Sequence, residues 1–144
     1  MKNALSASEK ERVKHAVLTA EKETSGEIRV HIDQTCPGDP LDRAIELFQQ
    51  LGMEATQYRN AALIYLSLKD HKVAIVGDTA LNEVVPQHFW DDECALMISH
   101  FKRGKIADGL CAGVLEVGKE LARYFPLTAD SKNELSNDLS YGNE

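Results

Sequence analysis

A chain of 144 residues, 43% hydrophobic and 27% charged, has the composition of an ordinary globular protein and enough length to bury a core without metal or disulfide staples. Its 16 basic side chains against 23 acidic ones leave a net charge of −7, which disfavours nucleic acid and anionic membrane surfaces as partners. The opening MKNALSASEKERVKH lacks the apolar stretch of a signal peptide, and no later run approaches a membrane span.

Three cysteines at wide spacing, Cys36, Cys94 and Cys111, make neither a disulfide framework nor a CxxC metal site. Each is expected as a small buried hydrophobe rather than a nucleophile. A cytoplasmic monomer in a reducing compartment is the expectation.

Ser6 and Ser8 each stand three residues before a glutamate, a capping-box signal, and Val13, Ala16, Val17 and Ala20 follow at helical spacing. Thr24-Ser25-Gly26 ends that helix. Ile28 to Ile32 alternate apolar and polar, as a half-buried strand does. Asp33 to Pro40 is loop by composition, and Asp39 caps a second helix that starts at Pro40. Leu41, Ile45, Phe48 and Leu51 are predicted along its buried face, with Gly52 closing it. Ala61 to Leu68 is too continuously apolar for a surface strand and is predicted at the sheet centre. Lys69-Asp70-His71 turns the chain, and Lys72 to Val76 returns as the hairpin partner. A third helix spans Pro86 to about Lys102 with Trp90, Cys94, Met97, Ile98 and Phe101 inward. The last runs from about Ile106 to Tyr124 and stops at Pro126.

Residues 1–126 are therefore expected as one domain. Residues 127–144, with four acids, one base and no periodicity, are expected as an acidic, disordered tail. The order helix, strand, helix, strand, strand, helix, helix makes the first two strands parallel and the third antiparallel to the second. Helices must then cover both faces, which is an α/β fold: a three-layer α/β/α sandwich around a small mixed sheet. A short additional edge strand is compatible with the pattern but unreadable from it.

This topology brings the starts of strands one and two and the end of strand three to one end of the sheet. Gly26-Glu27, Arg59-Asn60 and Gly77-Asp78 stand there, and the chain after Asp78 leads to Trp90-Asp91-Asp92-Glu93. Hard cations need several oxygen ligands, which carboxylates on separate loops supply. Asp78, Asp91, Asp92 and Glu27, with Asn60 as neutral donor, form the candidate site for weak binding of Ca²⁺ or Mg²⁺. The competing reading has the acids of the third helix serving its dipole and Glu27 pairing with Arg59. Asp33, Asp39, Asp42 and Asp70, at the opposite end, are a rival cluster, although Asp39 is accounted for as a cap.

The stretches SGEIRVHI, RNAALIYLSLKDHKVAIVGD and FKRGKIADGLCAGVLEVGKELARYFP resemble the TPM domain family over residues 5 to 126. That family includes a thylakoid lumen protein, a photosystem II repair protein and a modulator of acetylcholine receptors. The resemblance implies an α/β/α sandwich, divalent-cation binding in some members, and a phosphatase label drawn from a plant member. The family's strand-two opening usually reads Asp-Asn-Gly; here Arg59-Asn60-Ala61 stands in its place, so one carboxylate is missing.

Catalysis is not expected. Arg43 follows Cys36 one residue too late for a Cys-x5-Arg phosphate cradle, and DxDxT, RHG and GxSxG are absent. The expected function is non-catalytic, weak divalent-cation binding. The alternative is a protein-interaction module for a larger assembly, with an unidentified protein partner.

Overall fold

The structure is a computed structural model that describes residues 5–127 and 139–142. Its elements in chain order are α1 (Ala7–Glu21), β1 (Glu27–Asp33), α2 (Pro40–Gln50), β2 (Ala61–Ser67), β3 (Lys72–Gly77), α3 (Thr79–Val84), α4 (Gln87–Lys102), α5 (Ile106–Tyr124) and β4 (Ser140–Gly142). The predicted capping box forms at α1, where Ser6 and Glu9 satisfy each other's backbone amides. Asp39 caps α2 with Pro40 in its first turn.

The sheet order is β3-β2-β1-β4, with β1 parallel to β2 and to β4, and β3 antiparallel to β2. Every residue of β2 is buried, as a strand covered on both faces requires. On one face Ile28, Val30, Ala62 and Ile64 pack with α1, α4 and α5. On the other, Ala61, Leu63, Tyr65 and Ala74 pack with α2. The α/β/α sandwich follows directly from strands that present apolar side chains to both sides. Helix α5 lies between α1 and α4 and approaches closely because it is small-residue rich: a Cβ on Gly118 would meet the Ala20 Cβ at 2.5 Å.

Three features differ from the sequence expectation. Helix α2 is rotated, so that Ala44, Leu47 and Phe48 are buried while Leu41 and Ile45 are exposed. The turn carries Arg43 onto Asp33, and the small Ala44 lets the helix sit close to the sheet. The segment after Asp78 forms the short helix α3, capped by Asp78, rather than a plain connection. Finally, Ser140 to Gly142 adds a strand at the edge beside β1, so the tail expected to be disordered contributes a sheet element there. The rest of that expectation falls largely on residues 128–138, outside the described residues.

Candidate functional site

The sheet end predicted to bind cations does assemble. Glu27 lies in register with Ala61, the Asp78 amide donates to the Ala61 carbonyl, and Asn60 precedes Ala61. Register then divides the predicted ligands. Cross-strand neighbours share a face, so Glu27 and Asp78 take the same side of the sheet as Ala61, the α2 side. Helix α4, with Asp91 and Asp92, packs on the opposite side. Both aspartates are exposed, and Asp91 accepts a hydrogen bond from Gln87 one turn earlier. Asn60 is buried and donates its Nδ2 to Ser25 Oγ at 3.2 Å.

Asp78 is only 4% exposed and is already occupied. Arg59 Nε and Nη2 reach its two oxygens at 2.8 Å each, and one of those oxygens also accepts from the Thr79 amide. Arg59 thus supplies a guanidinium that neutralises Asp78. The five predicted residues therefore do not form one ligand shell. Among the described residues no three His, Cys, Asp or Glu side chains stand close enough to hold one metal ion. A like-charge pair also lies at this end. Burial pushes the Glu21 carboxyl up to about 7, the Ile28 amide works against that shift, and nearby Glu27 adds to it.

The opposite end holds a network that sequence reasoning missed. His31 and Asp33 alternate onto the α2 face of β1, directly beside Ser140 and Gly142 of β4 in the parallel register. Asp33 is wholly buried and accepts from His31 Nε2 at 2.9 Å, Arg43 Nε at 2.9 Å and the Tyr65 hydroxyl at 2.7 Å. His31 Nδ1 meets Ser140 Oγ at 2.8 Å. Gly142 is required opposite Asp33, since a Cβ there would stand 2.7 Å from Asp33 Oδ1. Burial alone would raise the Asp33 pKa, but its hydrogen bonds to Arg43, Tyr65 and His31 outweigh that and hold it below the ordinary carboxylate value. Burial pushes the His31 pKa down against the pull of Asp33.

The partners of Asp33 assign the protons. Ionised Asp33 can only accept, so His31 Nε2 carries the hydrogen. The Nδ1 of the neutral ring is then an acceptor, and Ser140 Oγ donates to it. His31, placed by sequence on a polar strand face, is 3% exposed. The only sequence signal was complementary spacing, His-x-Asp in β1 and Ser-x-Gly in the tail, more than a hundred residues apart. The rival acidic cluster is dispersed by the same architecture. Asp33 belongs to this network, Asp39 caps α2, and Asp70 accepts from the Cys36 amide and Ser67. Cys36 is buried, and burial pushes the Cys94 thiol up to about 11 and raises that of Cys111, as suits packing rather than reactivity.

A third feature is a groove of about 720 Å³ along α5, walled by α1 and α4 and lined by Ala20, Leu96, Ala112 and Leu115 with Glu23, Glu93 and Glu116. Glu93 is 8% exposed, and its Oε1 has no hydrogen-bond partner among the described residues. Burial first, then Glu116, Asp92 and Glu120, raise its pKa.

The family model of the TPM domain matches residues 1–120. No curated protein matches the chain. Among solved structures, the BA42 protein of the psychrophilic bacterium Bizionia argentinensis is 40% identical, with a TM-score of 0.88 over 96% of this chain and 95% of its own. The N-terminal domain of a P. gingivalis protein is 24% identical, with a TM-score of 0.67 over 84% of this chain and 78% of its own. The N-terminal domain of the cg2496 protein of Corynebacterium glutamicum is 15% identical, with a TM-score of 0.65 over 96% and 81%. The last two likenesses concern the fold alone. With 120 of its residues on the family model, this chain belongs to the TPM domain family.

Proposed function

We propose that this TPM domain is a protein-interaction module, and that its groove along α5 receives a lysine or arginine side chain of a partner protein. The observation that carries this reading is the Glu93 carboxylate, buried with an orphan oxygen among aliphatic walls. An unpaired buried carboxylate is costly, and a cation brought by a ligand removes that cost. The aliphatic stem of lysine or arginine matches the apolar walls, and its charge matches Glu93, Glu116 and Glu23. No helix among the described residues is long and apolar enough to cross a membrane. The free cysteines support a reducing, cytoplasmic setting.

The test is an amide chemical-shift titration with N-acetyl-lysine methylamide against its norleucine counterpart. The lysine probe should shift residues 93–97 and 112–119, the norleucine probe should not, and Glu93→Gln should abolish the difference. Equal responses to both probes, or none, would remove the reading.

A second reading keeps a divalent cation at Asp78. Its support is that the carboxylate is buried while its guanidinium partner is 48% exposed, beside a cleft of about 490 Å³ that Glu54 also lines. Ca²⁺ or Mg²⁺ would bind weakly, in exchange for Arg59, and would shift the amides of residues 54–60 and 77–82.

A further inference from the structure

The network at the Asp33 end holds more than a structural latch requires. Ser140, His31 and Asp33 form one hydrogen-bonded line, with both contacts at 2.8–2.9 Å. Its proton polarity is that of a nucleophile, a base and an orienting acid: Ser140 donates to His31 Nδ1, and His31 Nε2 donates to Asp33. The ring is addressed through the nitrogens opposite to those of the familiar serine hydrolases. An imidazole has one donor and one acceptor nitrogen whichever is named first, so the chemistry is the same. Tyr65 and Arg43 hold Asp33 from behind, and the Tyr65 ring lies 6.1 Å from His31 at 15°, which fixes the base in place.

Two further observations point to a ligand. Arg29 stands two residues before His31 on the same face of β1, and its Nε is buried with no hydrogen-bond partner among the described residues. A buried donor without an acceptor, on the same strand face as the base, is what a developing oxyanion needs. Ser140 itself is half-buried on the edge strand, and α2 packs mainly on β2 and β3, with Arg43 reaching the edge at Asp33.

We propose that Ser140 is a nucleophile activated by His31, with Asp33 as positioning residue and Arg29 as oxyanion donor, acting on small carboxylic esters. As Ser140 Oγ bonds to the carbonyl carbon, its proton passes to His31 Nδ1 and the carbonyl oxygen becomes an oxyanion facing Arg29. Collapse breaks the bond to the alcohol, which leaves with the proton from Nδ1. Water then repeats the sequence on the acyl-serine, giving back its proton through His31 and releasing the carboxylic acid. Ester and water are consumed, acid and alcohol are produced, and no oxidant or other co-reactant enters. This activity is independent of the groove along α5, which lies across the sheet.

The experiment uses the full chain with a small alkyl fluorophosphonate, read by intact mass and peptide mapping, and with p-nitrophenyl acetate for turnover. One phosphonyl adduct on Ser140 is expected. Ser140→Ala should take no adduct, with its amide spectrum showing the core folded although His31 Nδ1 has lost its donor. His31→Gln should slow labelling about 100-fold, the scale of a lost general base. Arg29→Gln should lower ester turnover while leaving the amide spectrum of the core in place. No adduct on the native chain, an adduct on another residue, or equal labelling of Ser140→Ala would overturn the proposal.

Discussion

The two ends of the sheet carry similar residue types and treat them in opposite ways. At one end Asp33 is wholly buried and bound by three side chains from three different elements, β1, α2 and β2. At the other, Asp78 is nearly as withdrawn but is countered by one arginine that is half in water, while burial first, and Glu27 to a lesser degree, raise the Glu21 carboxyl. A carboxylate in a saturated network stabilises through geometry that no solvent ion can imitate. One held by a half-exposed guanidinium sits in an exchangeable contact, screened by salt. The first end is therefore rigid, and the second is where charge can be traded.

The strongest way to break this contrast is Asp33→Ala. It strands His31, Arg43 and Tyr65 together and should cost about 3–5 kcal/mol in urea unfolding, the cost of breaking a buried charged network. A loss under about 1 kcal/mol would show that the three donors do not depend on one acceptor. Deleting residues 139–144 comes next. It removes β4 from the edge of β1, which keeps β2, and leaves the buried Nδ1 of His31 without a donor, so about 1–3 kcal/mol of stability should go. An unchanged melting temperature would return those residues to the status of a dispensable tail.

At the Asp78 end the effects should be smaller and should depend on conditions. The Glu21 carboxyl is raised in the folded state to about 7, so the fold binds a proton there that the unfolded chain has already released. That contribution is complete below the unfolded carboxyl pKa and disappears as pH rises through about 7. Glu21→Gln should thus add about 1 kcal/mol at pH 8 and nothing near pH 4, measured by urea unfolding at both. A gain that is equal at both pH values would place the effect elsewhere. Smallest is Arg59→Ala, which should cost no more than about 1 kcal/mol and should increase the response to millimolar Ca²⁺ by freeing Asp78. If Ca²⁺ moves the melting temperature of the variant no more than that of the native chain, Arg59 is not standing in for a cation.

The secondary elements were legible because each depends on neighbours in sequence. The capping box at Ser6, the Asp39-Pro40 helix start, the unbroken apolar run of β2 and the apolar stripe of α5 are local periodicities, and folding left them in place. Strand direction also followed, since a helix between two strands allows a parallel pair and a tight turn does not. The end at which Glu27, Asn60 and Asp78 meet was fixed by that same topology.

The face each polar side chain takes was not legible. A strand offers two faces, and a one-residue change of register exchanges them, so only the pairing with β2 places Glu27 and Asp78 away from Asp91 and Asp92. The rotation of α2 was hidden for a related reason: Leu41 and Ile45 fit a helical stripe as well as Ala44 and Leu47 do, and the ion pair of Arg43 with Asp33 chooses between them. The His31–Ser140 contact joins residues 109 apart in a segment with no strand periodicity of its own. Three residues form β4 because β1 has an unpaired edge, and because a glycine opposite Asp33 and a hydroxyl opposite His31 complete its hydrogen bonds. Local sequence determines α1, α2, α4, α5 and the three strands β1 to β3, since backbone bonding and capping are settled there within a few residues. The tertiary structure alone decides which buried charges meet, because that depends on register and helix rotation, set by packing between distant parts of the chain.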